Sequence, residues 1–397
     1  MRQPVVLLAW ELGQGLGHVT KARKLALELR KRGIRSVLAI SNLAAASEMG
    51  LADEEVRQAP LWPMQSGAWK AKIDYAPATL GEFLAQAIFA DADAIEVQIR
   101  AWRDLLSDIR PDLVVADYAP GVHLATRGRL PLLAFSVGYC LPPTHLAEFP
   151  RVVSSVRPLH EAEELVLARV NKALGATGDA PLERYPQVFD ALDHAVISTP
   201  LLDPYRKHRR STHLGPVISK RPALCTPGEG VFVYLWEGVW QHDWIIEGVA
   251  RAGGPGIAYI PKVGPNTMAR LQGAGFTVLS KPADIDTAFA SAGVVVHHGG
   301  HGIASAAIAA GLPQVILSYD QEKALTAASL ESIGVCRHVP VSIANPRAVE
   351  AAIREIRESA DARRRAAELA RENAPWFDVP AESLAADMIE MRLARGA

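Results

Sequence analysis

Two short segments carry the residue types that could do chemistry. The run Val294-Val-Val-His-His-Gly-Gly-His-Gly302 reads as a buried strand of β-branched residues passing straight into a glycine-rich turn, with a helix opening at Ile303. Gly299, Gly300 and Gly302 let the backbone turn sharply and bare its N–H groups. Those N–H groups and the positive end of the following helix suit a phosphate or diphosphate. The second segment is Gly15-Leu-Gly-His18, where the histidine sits at the start of a helix directly after the first strand. A helix N-terminus disfavours imidazolium and so favours a neutral, proton-accepting ring. Asp117, closing Leu113-Val-Val-Ala-Asp117, is a carboxylate at another strand end. It would orient such a ring and stabilise its charged form, an effect opposed to that of the helix. The rival readings are a helix-start hydrogen bonder for His18 and a cap on the helix near Gly121 for Asp117.

The elements that must position these residues alternate strand and helix, twice over. Val5–Trp10 is a short apolar strand. The helix after it places Ala22, Leu25, Ala26 and Leu29 on one face and ends on Arg30-Lys-Arg32 and Gly33. Strands at Ser36–Ile40, Leu113–Ala116 and Leu132–Phe135 follow, with helices around 80–108 and 160–174. Composition shifts over 203–230, with Pro204, the basic run Arg206–Arg210, Gly215-Pro216, Pro222 and Pro227. The second series has strands at Val231–Leu235, Ile257–Ile260, Phe276–Leu279, Val294–His298 and Gln314–Leu317. Helices near 241–252, 303–310, 321–333 and 345–358 separate them, and a charged helical stretch broken near Pro375 and Pro380 ends the chain. Such alternation predicts α/β architecture: two Rossmann-like doubly wound domains, with ligands in a cleft at the carboxyl ends of both sheets.

Composition excludes several classes. At 397 residues the chain exceeds one compact core. A net charge of −1, from 42 basic and 43 acidic residues, argues against nucleic acid as a partner. Cys140, Cys225 and Cys336 are far apart without metal-ligand spacing and read as buried free thiols of a reducing compartment. With no signal peptide and no apolar run of about 18 residues, the expectation is a cytoplasmic protein without integral membrane segments, monomeric or homodimeric. The basic run would permit peripheral contact with an anionic surface, and an exposed linker explains it equally.

His297-His-Gly-Gly-His-Gly302, Ala309-Ala-Gly-Leu-Pro-Gln314 and Asp320-Gln321 together resemble the donor signature of nucleotide-sugar glycosyltransferases. The similarity is to the GT-B superfamily, in the branch of plant and bacterial small-molecule (UDP-glycosyltransferase-like) enzymes. Gly15-x-Gly-His18 with the following helix resembles that family's acceptor-domain motif, and the resemblance covers essentially the whole chain. It implies an acceptor-binding domain over 1–215, a linker over 216–229, a donor-binding domain over 230–372 and a C-terminal helix over 373–397 packing back on the first domain. It further implies inverting, metal-independent transfer from an NDP-sugar to a small-molecule hydroxyl, with His18 as base assisted by Asp117. The donor would be a co-substrate, with no resident cofactor. His297 matches the family's phosphate-contacting histidine, and Gly299, Gly300, Gly302 and Ile303 the amide cradle. His301 would add a donor to the phosphates. Asp320 and Gln321 match the pair that bonds the donor hexose, with a helix N-cap as the rival reading.

The chain departs from the pattern at two places. Ala306 stands where an acidic residue usually grips the ribose, and Ser280-Lys-Pro-Ala283 where a Trp-x-Pro-Gln segment stacks on the base. UDP is the commonest expectation, and a dTDP-sugar, one ribose hydroxyl poorer, stays open. Trp236, after the first strand of the second series, would replace the stacking ring or line the acceptor pocket. Aromatics at Trp62, Trp69, Phe83, Phe89, Phe135 and Tyr139, with Gly17, suit an apolar acceptor, although a core role would explain most of them. Asp91-Ala-Asp93 and Asp284-Ile-Asp286 read as solvated carboxylates, so no metal site is expected. Two other readings are a nucleotide-sugar epimerase of related fold, for which Ala306 removes a carboxylate, and a non-catalytic nucleotide-sugar-binding activator.

Overall fold

A computed structural model describes residues 2–13, 15–51, 54–65, 76–153, 157–218, 220–225, 228–236, 242–281 and 284–396. The chain divides into two compact units, Met1–Gly215 with Pro380–Ala397, and Pro216–Val379. In the C-terminal stretch the division between the two units falls after Val379.

The first unit is built on β1 (Val5–Trp10), β2 (Arg35–Ile40), β3 (Glu55–Gln58), β4 (Leu113–Asp117), β5 (Leu132–Ser136) and β6 (Asp193–Val196). They form one parallel sheet in the order β3-β2-β1-β4-β5-β6. β1, β4 and β5 are buried along their whole length, as an apolar run in a sheet covered on both faces requires. The half-exposed β3, with Glu55, Arg57 and Gln58, is an edge strand that apolar patterning does not reveal. α1 (Gly17–Lys31) buries Leu25, Ala26 and Leu29 and stops at Gly33, whose φ of +72° suits glycine. α2 (Leu43–Glu48), α3 (Leu80–Ala87), α4 (Ala92–Ile109), α5 (Pro120–Thr126) and α6 (Glu163–Ala176) belong to the same unit. So does the last helix, α14 (Ala381–Gly396), which packs on α1. Arg32 at the end of α1 bonds Glu390 at 2.6 Å and Ser383 at 3.1 Å, and Arg392 bonds Asp193 at 2.8 Å.

The second unit repeats the plan. β7 (Gly230–Tyr234), β8 (Gly256–Tyr259), β9 (Phe276–Leu279), β10 (Ala292–His297), β11 (Gln314–Ile316) and β12 (Cys336–His338) make a parallel sheet in the order β12-β11-β10-β7-β8-β9. Side chains alternate into two cores. Val231, Val233, Val294 and Val296 face α7 (Asp243–Ala252) and α12 (Pro346–Glu358), while Phe232 and Val295 face α10 (His301–Ala310). α8 (Pro265–Gly273), α9 (Ile285–Ala290), α11 (Gln321–Glu331) and α13 (Ala360–Asn373) also belong to this unit.

In both sheets the strand order reverses beside the first strand of the series, between β1 and β4 and between β7 and β10. Ligands of open α/β sheets gather at that reversal, beyond the strand carboxyl ends. No helix among the described residues is long and apolar enough to cross a membrane.

Candidate active site

Register explains how residues far apart in sequence meet in the first unit. β1 and β4 pair so that Trp10 lies opposite Asp117, which puts the loop after β1 beside the end of β4. α1 begins at Gly17, and its second residue turns toward that end. His18 Nδ1 lies 2.8 Å from Asp117 Oδ2, and the imidazole stacks on Trp10 with centroids 5.1 Å apart and planes 8° from parallel. Gly13 (φ +91°) leaves the ring its space, since a Cβ there would sit 2.4 Å from His18 Nε2. His18 keeps 8% exposure.

Two partners of Asp117 were not legible from motif reading. Lys21, one turn beyond His18 on the same helix face, places Nζ 3.0 Å from Oδ1, and the Ser136 hydroxyl donates to the same oxygen. Burial alone would push the Asp117 carboxyl up, but the charges of Lys21 and His18, with the bonds from His18 and Ser136, hold it well below the usual carboxylate range. The next residue, Tyr118, takes φ +48°, a left-handed conformation unusual for an aromatic, and its carbonyl accepts the Leu12 N–H at 3.0 Å.

Asp117 does not cap α5. That work is done by Glu11, fully buried after β1, which accepts the N–H groups of Gly121 at 2.9 Å and Val122 at 2.8 Å. Trp62 Nε1 donates to the same carboxylate at 2.8 Å. Burial pushes the Glu11 carboxyl up to about 7, against the pull of the Gly121, Trp62 and Val122 donors. Nothing in a loop reading Glu-Leu-Gly-Gln-Gly marks this acid as a tertiary cap.

In the second unit the glycine turn follows β10 as expected. Gly299 has φ +88°, and a Cβ there would strike Lys323 Cβ at 2.8 Å and Ile316 Cγ2 at 2.9 Å. α10 starts at His301 with Gly300 as its N-cap residue and no side-chain cap. Gly302 is exposed, with only Val217 O among the described residues within 4 Å of where its Cβ would be. A helix start of this kind presents N–H groups outward. His301 and Ile303 are half-buried.

His297 corrects an expectation. Its position in the β10 alternation turns it under α10, where it is 0% exposed. Nδ1 accepts the Gly299 N–H at 3.0 Å, so the ring proton is on Nε2, which donates to Gln314 Oε1 at 2.8 Å. Both nitrogens are used within the protein, and burial pushes the imidazole down to about 4 despite the Gln314 bond. His297 therefore holds the turn rather than contacting phosphate. His298 points the other way, tilted against Tyr234 and Tyr319 at 5.5 and 6.2 Å, and burial pushes it down to about 3.

Asp320 is the N-cap of α11: Oδ1 accepts the Lys323 N–H at 3.0 Å, and Lys323 Nζ lies 3.3 Å from Oδ2. Gln321, its neighbour, is half-buried. Trp236 is half-buried and stacks on Tyr319 at 5.5 Å. Ala306 faces the core with Phe232 and Phe289.

Other aromatics divide. Trp62 and Phe135, expected to line an acceptor pocket, are core residues at 0% and 2% exposure, Trp62 edge-on to Phe89 and tied to Glu11. Gly17 is exposed, Phe83 half-buried, and Tyr139 buried at 8% exposure. Trp69, Pro282 and Ala283 lie outside the described residues. The basic run is not simply an exposed linker. Arg209 is inside, bonded to Asp203 through Nε at 2.8 Å and Nη2 at 2.9 Å, which removes it from any surface patch. Cys225 is half-buried rather than buried. Asp91 and Asp284 are helix N-caps, and among the described residues no three His, Cys, Asp or Glu side chains are grouped to hold a metal ion.

Known proteins resemble this chain in sequence over its C-terminal part and in fold over its whole length. Residues 285–391 match the family described as erythromycin biosynthesis protein CIII-like, C-terminal domain. The calicheamicin glycosyltransferase CalG4 superposes with a TM-score of 0.71 at 22% identity, over 100% of this chain and 99% of that one. The spinosyn rhamnosyltransferase SpnG, complexed with thymidine diphosphate, gives 0.68 at 16%, over 98% and 100%. SsfS6 from Streptomyces sp. SF2575, also complexed with thymidine diphosphate, gives 0.61 at 18%, over 98% and 100%. No curated protein sequence matches the chain. The fold is that of the GT-B glycosyltransferases, as the donor and acceptor motifs implied. The likeness to these structures extends over the whole chain as a shared fold, and the family match is confined to residues 285–391.

Proposed function

We propose that this protein is an inverting, metal-independent glycosyltransferase that moves a sugar from a nucleoside-diphosphate donor to the hydroxyl of a small apolar molecule. The observation that carries the reading is the His18–Asp117 pair at 2.8 Å. With Asp117 ionised, Nδ1 carries the proton given to Oδ2, which leaves Nε2 as the acceptor site. His18 takes the proton of the acceptor hydroxyl as its oxygen bonds to the anomeric carbon. The bond from that carbon to the diphosphate oxygen breaks, and its electron pair leaves with the diphosphate. Asp117 stabilises the imidazolium that results. A single displacement of this kind inverts the anomeric configuration.

The leaving group is the task of the second unit. The amides of Gly300–Ile303 at the start of α10 are fixed donors to the growing charge and serve without a cation. Asp320 and Gln321 hold the sugar hydroxyls, His301 adds a donor to the phosphates, and Trp236 borders the nucleoside. Gly17, Phe83 and Tyr139 bound the acceptor. Thymidine diphosphate is the favoured nucleotide. Ala306 lies in the core at the position where the resemblance implies an acid for the ribose, and SpnG and SsfS6 were each seen with thymidine diphosphate.

A thermal-shift screen of dTDP, UDP and GDP sugars tests the donor, because a true ligand stabilises the native state by mass action. The reading expects dTDP to give the largest shift, turnover unchanged in excess EDTA, and a product anomer opposite to that of the donor by NMR. A retained anomer would overturn the single displacement, and loss of turnover in EDTA the absence of a metal.

A further inference from the structure

The buried Lys21 has no place in the mechanism above. Its ammonium is taken out of water on the same helix face as His18, and its hydrogen-bonding partner is the carboxylate that His18 also uses. A cation removed from water is costly unless paired, so its position calls for a reason. We propose that Lys21 is a positioning residue for the base: by sharing Asp117 with His18 it fixes the carboxylate rotamer and withholds part of the negative charge that would otherwise protonate the imidazole. The inference rests on His18 being the base.

The geometry separates the two oxygens of Asp117. Oδ2 faces His18 Nδ1 at 2.8 Å, and Oδ1 takes Lys21 Nζ at 3.0 Å together with the Ser136 hydroxyl. A lone carboxylate beside an imidazole favours imidazolium, which cannot accept a proton. A fixed positive charge on the far oxygen opposes that, while leaving the orienting bond to Nδ1 intact. Two carboxylates on neighbouring elements have other partners. Glu11, after β1, turns its carboxylate to the α5 amides, and Glu382 of α14 lies 3.6 Å from Lys24. The charged groups that meet on the shared carboxylate are His18 and, from the same helix, Lys21.

The test is the titration of His18, followed by NMR of the labelled imidazole in the full chain without substrates. Lys21→Met should raise its midpoint by about one pH unit, the effect of exposing a ring to an unshared carboxylate. Lys21→Arg, which keeps the charge, should leave it in place. With the preferred donor, the acid limb of kcat/KM should move by the same amount in Lys21→Met, with the high-pH plateau retained. A folded Lys21→Met with the wild-type midpoint overturns the proposal. Lys21→Gln is read in the same way where the Met variant does not fold, and failure of both to fold overturns it in favour of a purely structural lysine. A midpoint that moves while the rate profile does not would leave the Lys21 effect standing and reject His18 as the base.

Discussion

The Glu11 carboxylate occupies the space that a side chain on Gly121 would need: a Cβ there would lie 2.6 Å from Glu11 Oε1. One carboxylate thereby satisfies two amides of α5 and the Trp62 indole, tying the loop after β1 to the helix after β4. Since His18 and Asp117 flank these same connections, the clamp sets the frame in which they meet. Glu11→Ala would leave three buried donors without partners and should cost about 2–4 kcal/mol. Gly121→Ala should destabilise by a comparable amount through the clash. Urea unfolding of both variants checks this, and wild-type midpoints would show that the clamp carries no weight.

Asp117→Asn removes the ionic partner of Lys21 and the orienting charge for His18 together. Breaking a buried pair by deleting one member costs about 3–5 kcal/mol. The same change should lower kcat by about 10²–10⁴-fold, as loss of assistance to a general base does. Activity and thermal unfolding of one preparation read both effects. A variant as active as wild type would remove Asp117 from the chemistry.

At the other sheet, His297 is a structural imidazole with its proton on Nε2. Replacing it with Asn should loosen the Gly299 turn and weaken dTDP binding by about tenfold, of order 1.4 kcal/mol. The pH effect has a definite sign. Folded His297 titrates near 4, below the ordinary histidine range around 6.5, so between those values the unfolded chain binds more protons. Its contribution is present above about pH 6.5 and is lost as pH falls toward 4. In His297→Asn the dependence of unfolding free energy on pH over that window should be shallower by up to one proton. An identical slope would mean that the ring is not buried neutral.

Gly299 combines φ +88° with close neighbours on two sides, so Gly299→Ala meets both backbone strain and the Lys323 and Ile316 side chains. It should lower stability by about 1–3 kcal/mol and donor affinity with it. Calorimetry with dTDP is the check, and unchanged affinity in a folded variant would argue against the turn as the diphosphate site.

The backbone placement of the candidate residues was legible in the sequence where it follows from local pattern. His18 at a helix start, Asp117 at a strand end and the glycine turn after β10 all follow from strand–turn–helix patterning. What spacing could not tell is which way a residue faces once sheets are stacked. His297 and His298 are equivalent as letters, and only the alternation along β10 buries the first under α10. Trp62 and Phe135 looked like pocket aromatics because size and polarity do not separate a core ring from a lining ring. Glu11 and Lys21 went unread because their partners are set by the β1–β4 register, a tertiary fact. Short strands such as β3, β6 and β12 lie at or near the sheet edges, where a few residues of mixed character carry little period.

The account depends most on His18 as the proton acceptor, and His18→Gln measures it directly. Single-turnover transfer from dTDP-sugar should slow by about 10²–10⁴-fold. Donor affinity by calorimetry should stay within about twofold, since the proposed donor contacts belong to the other unit. Transfer at the wild-type rate with unchanged donor affinity would contradict the account.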